Sequence, residues 1–137
     1  MIVADANVLV YLVVRGSHTG TVREVVGRDD AWAAPQFWRS EVLSALSGYV
    51  RRGDLDVAGA AERFAVAEAA VGGREFDPEL ADVLELAARS GCSTYDCGYV
   101  AVARALGVPL VTSDREVLRA FPGTAVSPEQ FLEAPRR

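Results

Sequence analysis

The order of apolar runs along the chain predicts a three-layer α/β fold, with a short, mainly parallel sheet flanked by helices. Three observations carry that expectation. Short apolar stretches rich in Val, Ile and Leu alternate with longer helical ones. Two of the short stretches end abruptly in an aspartate. The 137 residues, 50% of them hydrophobic, suffice for one ordinary core, so a single domain over residues 1–137 is expected.

Residues 1–4 are apolar, too few for a helix, and read as a buried strand closing at Asp5. Residues 7–14 stay almost wholly apolar until Arg15, Gly16 and Ser17 break the pattern. Ser17 is placed to cap a helix reaching about Gly27, with Val22, Val25 and Val26 inward. Residues 31–34 read as a second strand, and Pro35 suits the first turn of a helix that stops at Gly53. The Ala-rich stretch 56–71 is helical until Gly72 and Gly73, and residues 74–76 form a brief third extended piece. A helix over 78–89 ends at Gly91, and another begins at Ser93 or Thr94 and closes at Gly107. Residues 108–112 are a strand. A short helix, an extended piece at 124–126 and a helical turn from Pro128 finish the chain.

Composition removes several chemistries. All fourteen basic residues are arginine, so a Schiff-base lysine, a P-loop lysine and a receiver-domain lysine are excluded. One histidine, His18, and two cysteines, Cys92 and Cys97, are too few for a zinc site. Both cysteines read as reduced packing residues, and His18 has no assignable role. No apolar run is long enough for a membrane span and no leader pattern is present, so a cytoplasmic protein without membrane contact is expected. Nineteen acids against fourteen arginines give a net charge of −5, which at face value argues against a nucleic-acid partner.

Four acids stand where solvated surface groups do not belong. Asp5 and Asp114 each follow an apolar strand, at the carboxyl ends where ligands of open α/β sheets gather. Glu41 falls about 40° from Phe37 on a helical wheel, inside the apolar arc that also holds Ala45, Trp38, Tyr49 and Val42. Asp96 opens a helix on the row continuing through Val100 and Ala103. Capping of helix starts is the plain explanation for Asp5, Asp96 and Asp114, but it leaves Glu41 unexplained. Four converging carboxylates without Lys or a usable His would repel one another unless a divalent cation intervened, and an all-oxygen site suits Mg²⁺ or Mn²⁺.

The residues Val3-Ala4-Asp5-Ala6-Asn7-Val8-Leu9, Ser40-Glu41-Val42, Thr94-Tyr95-Asp96-Cys97-Gly98-Tyr99-Val100-Ala101-Val102-Ala103 and Leu110-Val111-Thr112-Ser113-Asp114 resemble, in order, the four acidic motifs of PIN-domain ribonucleases. Length and motif placement are most similar to the VapC-like toxins of VapBC-type toxin–antitoxin pairs, over residues 1–133; Cys97 stands where the family often carries Ala. The resemblance implies a Mg²⁺- or Mn²⁺-dependent endoribonuclease that cuts single-stranded or loop RNA, restrained by a cognate antitoxin protein and commonly a homodimer. It assigns Asp5, Glu41, Asp96 and Asp114 as catalytic, with Asp5, Asp96 and Asp114 on the metal. In-line attack by an activated water would leave a 5′-phosphate and a 3′-hydroxyl.

Asn7, Thr112 and Ser113 are placed to support the site from behind the ligands, or to cap helices. Trp38, Tyr49 and Tyr99 are candidates for base stacking, with core or dimer packing favoured. Arg15, Arg39, Arg51 and Arg52 are candidate phosphate contacts. Setting the four acids aside leaves fifteen acids against fourteen arginines, so acidity no longer excludes RNA. Three alternatives compete: a haloacid-dehalogenase-type phosphatase, which wants a second Asp where Asn7 stands; a catalytically silent PIN-like module binding RNA or protein; and a structural domain whose acids are caps.

Overall fold

Strand β1 (Ile2–Ala4) runs between β2 (Trp32–Ala33) and β3 (Leu110–Val111), with β4 (Ala125–Val126) outside β3. Every pairing is parallel, Ile2 opposite Trp32, Val3 opposite Leu110 and Leu110 opposite Ala125. Parallel neighbours need long crossovers, and helices supply them. Helices α1 (Ala6–Val13) and α2 (Thr19–Arg28) link β1 to β2. Helices α3 (Trp38–Arg51), α4 (Val57–Val71), α5 (Leu80–Ser90) and α6 (Thr94–Leu106) lead to β3, α7 (Arg115–Ala120) to β4, and α8 (Pro128–Glu133) follows. The computed structural model describes residues 1–135; Arg136 and Arg137, the end of the expected domain, lie outside the described residues.

The helix-covered parallel sheet expected from the apolar runs is therefore present. Its central strands are covered on both faces, so Ile2, Val3, Ala4, Leu110 and Val111 are buried without alternation. Val22, Val25, Val42, Leu46, Val100 and Ala103 bring helices α2, α3 and α6 into the same core cluster. Gly91 and Gly107, both with left-handed backbone, close α5 and α6 and so fix where α6 begins and ends. Cys92 and Cys97 are free thiols. Among the described residues, no helix is long and apolar enough to cross a membrane.

Three boundaries differ from expectation. Ser17 does not cap α2. Instead the Thr19 hydroxyl accepts from the Gly16 N–H and donates to the Tyr11 carbonyl, which folds the turn back onto α1. Helix α3 starts at Trp38 and not at Pro35, because Ala34 is held extended between the Arg74 carbonyl and the Phe76 N–H. Residues 35–37 therefore form a turn, closed by the Trp38 N–H on the Pro35 carbonyl. Those same two bonds leave residues 74–76 as a single parallel bridge, Ala34 to Glu75, short of a strand.

Candidate functional site

The carboxyl ends of β1 and β3 lie side by side, and both chains turn there into helices. Asp5 caps α1: its Oδ1 accepts the Ala6 N–H at 2.7 Å. Its Oδ2 accepts the hydroxyl of the fully buried Thr112 at 2.7 Å. The Thr112 oxygen in turn accepts the Asp114 N–H at 3.0 Å and Asn7 Nδ2 at 3.4 Å, while Asn7 Oδ1 accepts the Ser113 N–H at 3.2 Å. Asp5, Asn7, Thr112, Ser113 and Asp114 thus form one network stitching the two turns together. Asp114 caps α7 by accepting the Glu116 and Val117 N–H groups.

Glu41 arrives from α3 and Asp96 from α6. The buried Tyr99 hydroxyl donates to Glu41 Oε1 at 2.7 Å, binding the two helices across the site. Asp96 sits in the first turn of α6, where its N–H donates to the capping Ser93 hydroxyl. Capping therefore accounts for part of Asp5 and Asp114 and, through Ser93, for part of the Asp96 carboxylate.

The electrostatics tie these acids together. Burial pushes Asp5 up to about 7, against the pull of Thr112 and Ala6, and the charges of Glu41 and Asp96 add to the rise. Glu41 is raised by burial and then by Asp96, although Tyr99 pulls it down. Asp96 is raised by burial, with Asp114 and Glu116 contributing, and Ser93 opposes. Burial and the Glu41 and Asp5 charges hold the Tyr99 phenol far above its ordinary range, so it is a permanent donor. Among the described residues, none of Asp5, Glu41, Asp96 or Asp114 takes part in an ion pair.

An oxygen-only group of acids that repel one another and lack a protein cation has the donor chemistry of a hard divalent ion. Among the described residues, no three Asp, Glu, His or Cys side chains are gathered closely enough to hold a metal ion together. Mg²⁺ does not require three, since it is commonly held by one or two carboxylates and keeps several waters. The residues present therefore fit such an ion.

Two further participants escaped the sequence reading. Glu116 lies in the first turn of α7 and acts on Asp96; its place two positions after Asp114 is the available signal. Tyr99 belongs to the site as the Glu41 donor, which its position three residues after Asp96 on α6 permits. As stacking candidates, Trp38 and Tyr99 fail because both are buried. Tyr49 is half-buried under the Arg52 guanidinium. As phosphate contacts, Arg39 is occupied by Glu68 and Glu75, and Arg52 by Asp54. Arg51 donates to Ser47, and Arg15 is exposed. His18 stacks on Tyr11.

A small parallel sheet with acids at its carboxyl edge defines a class, and the PIN domain family model matches residues 2–122: the chain belongs to the PIN-domain family. A curated relative, the exonuclease VapC9 of Pyrobaculum aerophilum, is 43% identical over 56 residues, a match spanning 41% of this chain and 41% of that protein. The crystal structure of PAE2754 from Pyrobaculum aerophilum is similar with a TM-score of 0.76 and 30% identity, covering 96% of this chain and 92% of that one. FitAcB from Neisseria gonorrhoeae shares the fold at a TM-score of 0.71 and 16% identity, over 94% of this chain and 99% of that one.

Proposed function

We propose that the chain is a divalent-metal-dependent endoribonuclease of a single PIN domain, residues 1–137, and the toxin of a type II toxin–antitoxin pair. The observation that carries this reading is the unpaired acid set itself: Asp5, Glu41 and Asp96 come from separate elements, and the charges of Glu41 and Asp96 raise Asp5, that of Asp96 raises Glu41, and that of Asp114 raises Asp96. Asp5, Asp96 and Asp114 would hold Mg²⁺ or Mn²⁺. Such an ion, when bound, supplies Lewis-acid stabilisation of charge on the phosphate and a more acidic water.

The side chains supply the rest. Thr112 and Ala6 fix both oxygens of Asp5, so the carboxylate is oriented before any ligand arrives. Asn7 holds Thr112 and the Ser113 amide, so that the Asp5 and Asp114 turns keep their spacing. Tyr99 occupies Glu41 Oε1, which leaves Oε2 to accept a proton from the attacking water. Burial raises Glu41 from its ordinary value, in the direction of a more effective general base. In-line attack then yields a 5′-phosphate and a 3′-hydroxyl.

The antitoxin partner, the homodimer and the cytoplasmic location belong to the same proposal and rest on the resemblance of the four motifs to VapC-like toxins. A second reading, end-directed cleavage, is favoured by the printed name of the relative, an exonuclease. One experiment separates them. Circular and linear single-stranded RNA of one sequence are incubated with the chain in Mg²⁺, Mn²⁺ or EDTA, and product ends are mapped. Endonuclease action opens the circle in either metal and not in EDTA. An intact circle beside a trimmed linear strand selects the exonuclease reading, and no cleavage of either RNA overturns the proposed function.

A further inference from the structure

Beside the acids stands an aromatic group that the mechanism does not use. Tyr95, the residue before Asp96, is 59% exposed. Its ring meets Phe37 edge-on, with centroids 5.5 Å apart and planes at 79°. Phe37 meets the buried Tyr99 at 5.4 Å and 90°, and Tyr99 holds Glu41. A seat for the Phe37 ring is cut into α6 at Gly98, where a Cβ would lie 2.7 Å from Phe37 Cζ. Three aromatic rings thus lead from solvent to a site carboxylate.

We propose that Tyr95, backed by Phe37, is a shelf on which the unpaired base of the nucleotide beside the cleaved bond stacks. The inference rests on the ribonuclease reading and deepens it. Charge supplies the argument. A phosphate approaching this edge meets Asp5, Glu41, Asp96, Asp114 and Glu116, while Arg39 and Arg52 are paired elsewhere. The acids themselves repel that phosphate and attract it only through the ion they would hold, so a contact that carries no charge adds affinity beside the bond, and stacking of a base on an aromatic ring is one. A ring already held in place loses little freedom when the base arrives. Bases within a duplex are stacked on one another, so the shelf accords with the single-stranded or loop RNA that the family resemblance implies, and it carries little preference for sequence.

The test measures cleavage of a short single-stranded RNA in Mn²⁺ by the full chain and by Tyr95→Leu and Tyr95→Phe. Loss of the ring raises KM about ten-fold with kcat nearly kept, and the Phe variant matches the parent. Tyr95→Leu with the parent's KM, or Tyr95→Phe as impaired as Leu, overturns the shelf. An RNA lacking one base beside the cleaved bond probes the unaltered chain: KM rises for the parent and not further for Tyr95→Leu. Equal effects of the missing base on both proteins overturn the shelf as well. A parent that cuts no RNA overturns the ribonuclease reading itself, a distinct result.

Discussion

Replacing Asp5 by Asn should abolish RNA cleavage and yet stabilise the metal-free protein, but only above about pH 5. The Asp5 carboxyl is 6% exposed and is pushed from 3.8 to about 7, chiefly by burial. Between those two values the native protein binds a proton that the unfolded chain has released, so stability falls as pH rises through that window. The accumulated penalty above pH 7 is about 4 kcal/mol, roughly three pH units at 1.36 kcal/mol each. An amide carries no charge to desolvate, but it cannot accept from both Thr112 and Ala6, a loss of about 1.5 kcal/mol. The variant is therefore more stable than the parent by about 2.5 kcal/mol at pH 8.5 and less stable by about 1.5 kcal/mol at pH 3, where the carboxyl is protonated in both the native and the unfolded parent. Urea unfolding in EDTA at the two pH values measures both differences. A stability difference that does not change with pH would refute the argument from burial, and unimpaired RNA cleavage would refute the role of Asp5.

Mg²⁺ or Mn²⁺ should raise the melting temperature, more at pH 8 than at pH 5.5 because protons compete for Asp5, and Asp5→Asn should lose most of the shift; no shift at millimolar metal would overturn the metal site. Thr112→Val removes a buried hydroxyl that serves Asp5, Asn7 and Asp114, and should lower stability by about 2 kcal/mol in urea unfolding while raising Asp5 further. Tyr99→Phe removes the bond that pulls Glu41 down, so Glu41 rises and the acid limb of the pH–rate profile moves to higher pH. An unmoved acid limb would show that Glu41 is not the proton acceptor.

The parts of this architecture that depend on local pattern were readable from the chain. Short apolar runs gave β1 and β3, and the acid after each marked the carboxyl edge of the sheet. Glu41 was visible because a helical wheel places its charge among apolar neighbours. Contacts between distant residues were not readable. Tyr99 lies 58 positions from Glu41, and nothing local to either residue announces their bond. Pro35 carried a sound helix-start signal that was overridden by backbone bonds from Ala34 to Arg74 and Phe76. Arg39 looked like a free cation until α4 brought Glu68, and the following loop brought Glu75, against it. Tyr95 was passed over in favour of Trp38 and Tyr99, whose rings the fold spends on its interior.

The bond between Thr112 and Asp5 joins residues 107 positions apart. A chain emerging from the ribosome exposes Asp5 almost at once and lacks Thr112, β3 and Asp114 until most of its length has been made. The parallel pairing of β1 with β3 is equally late, and non-local strand pairing of this kind is slow to form. The acid edge consequently cannot assemble before Asp114 has been made, 109 positions after Asp5, whatever the speed of the helices between. On the proposed reading the chain cannot cut RNA until then, a delay written into chain order.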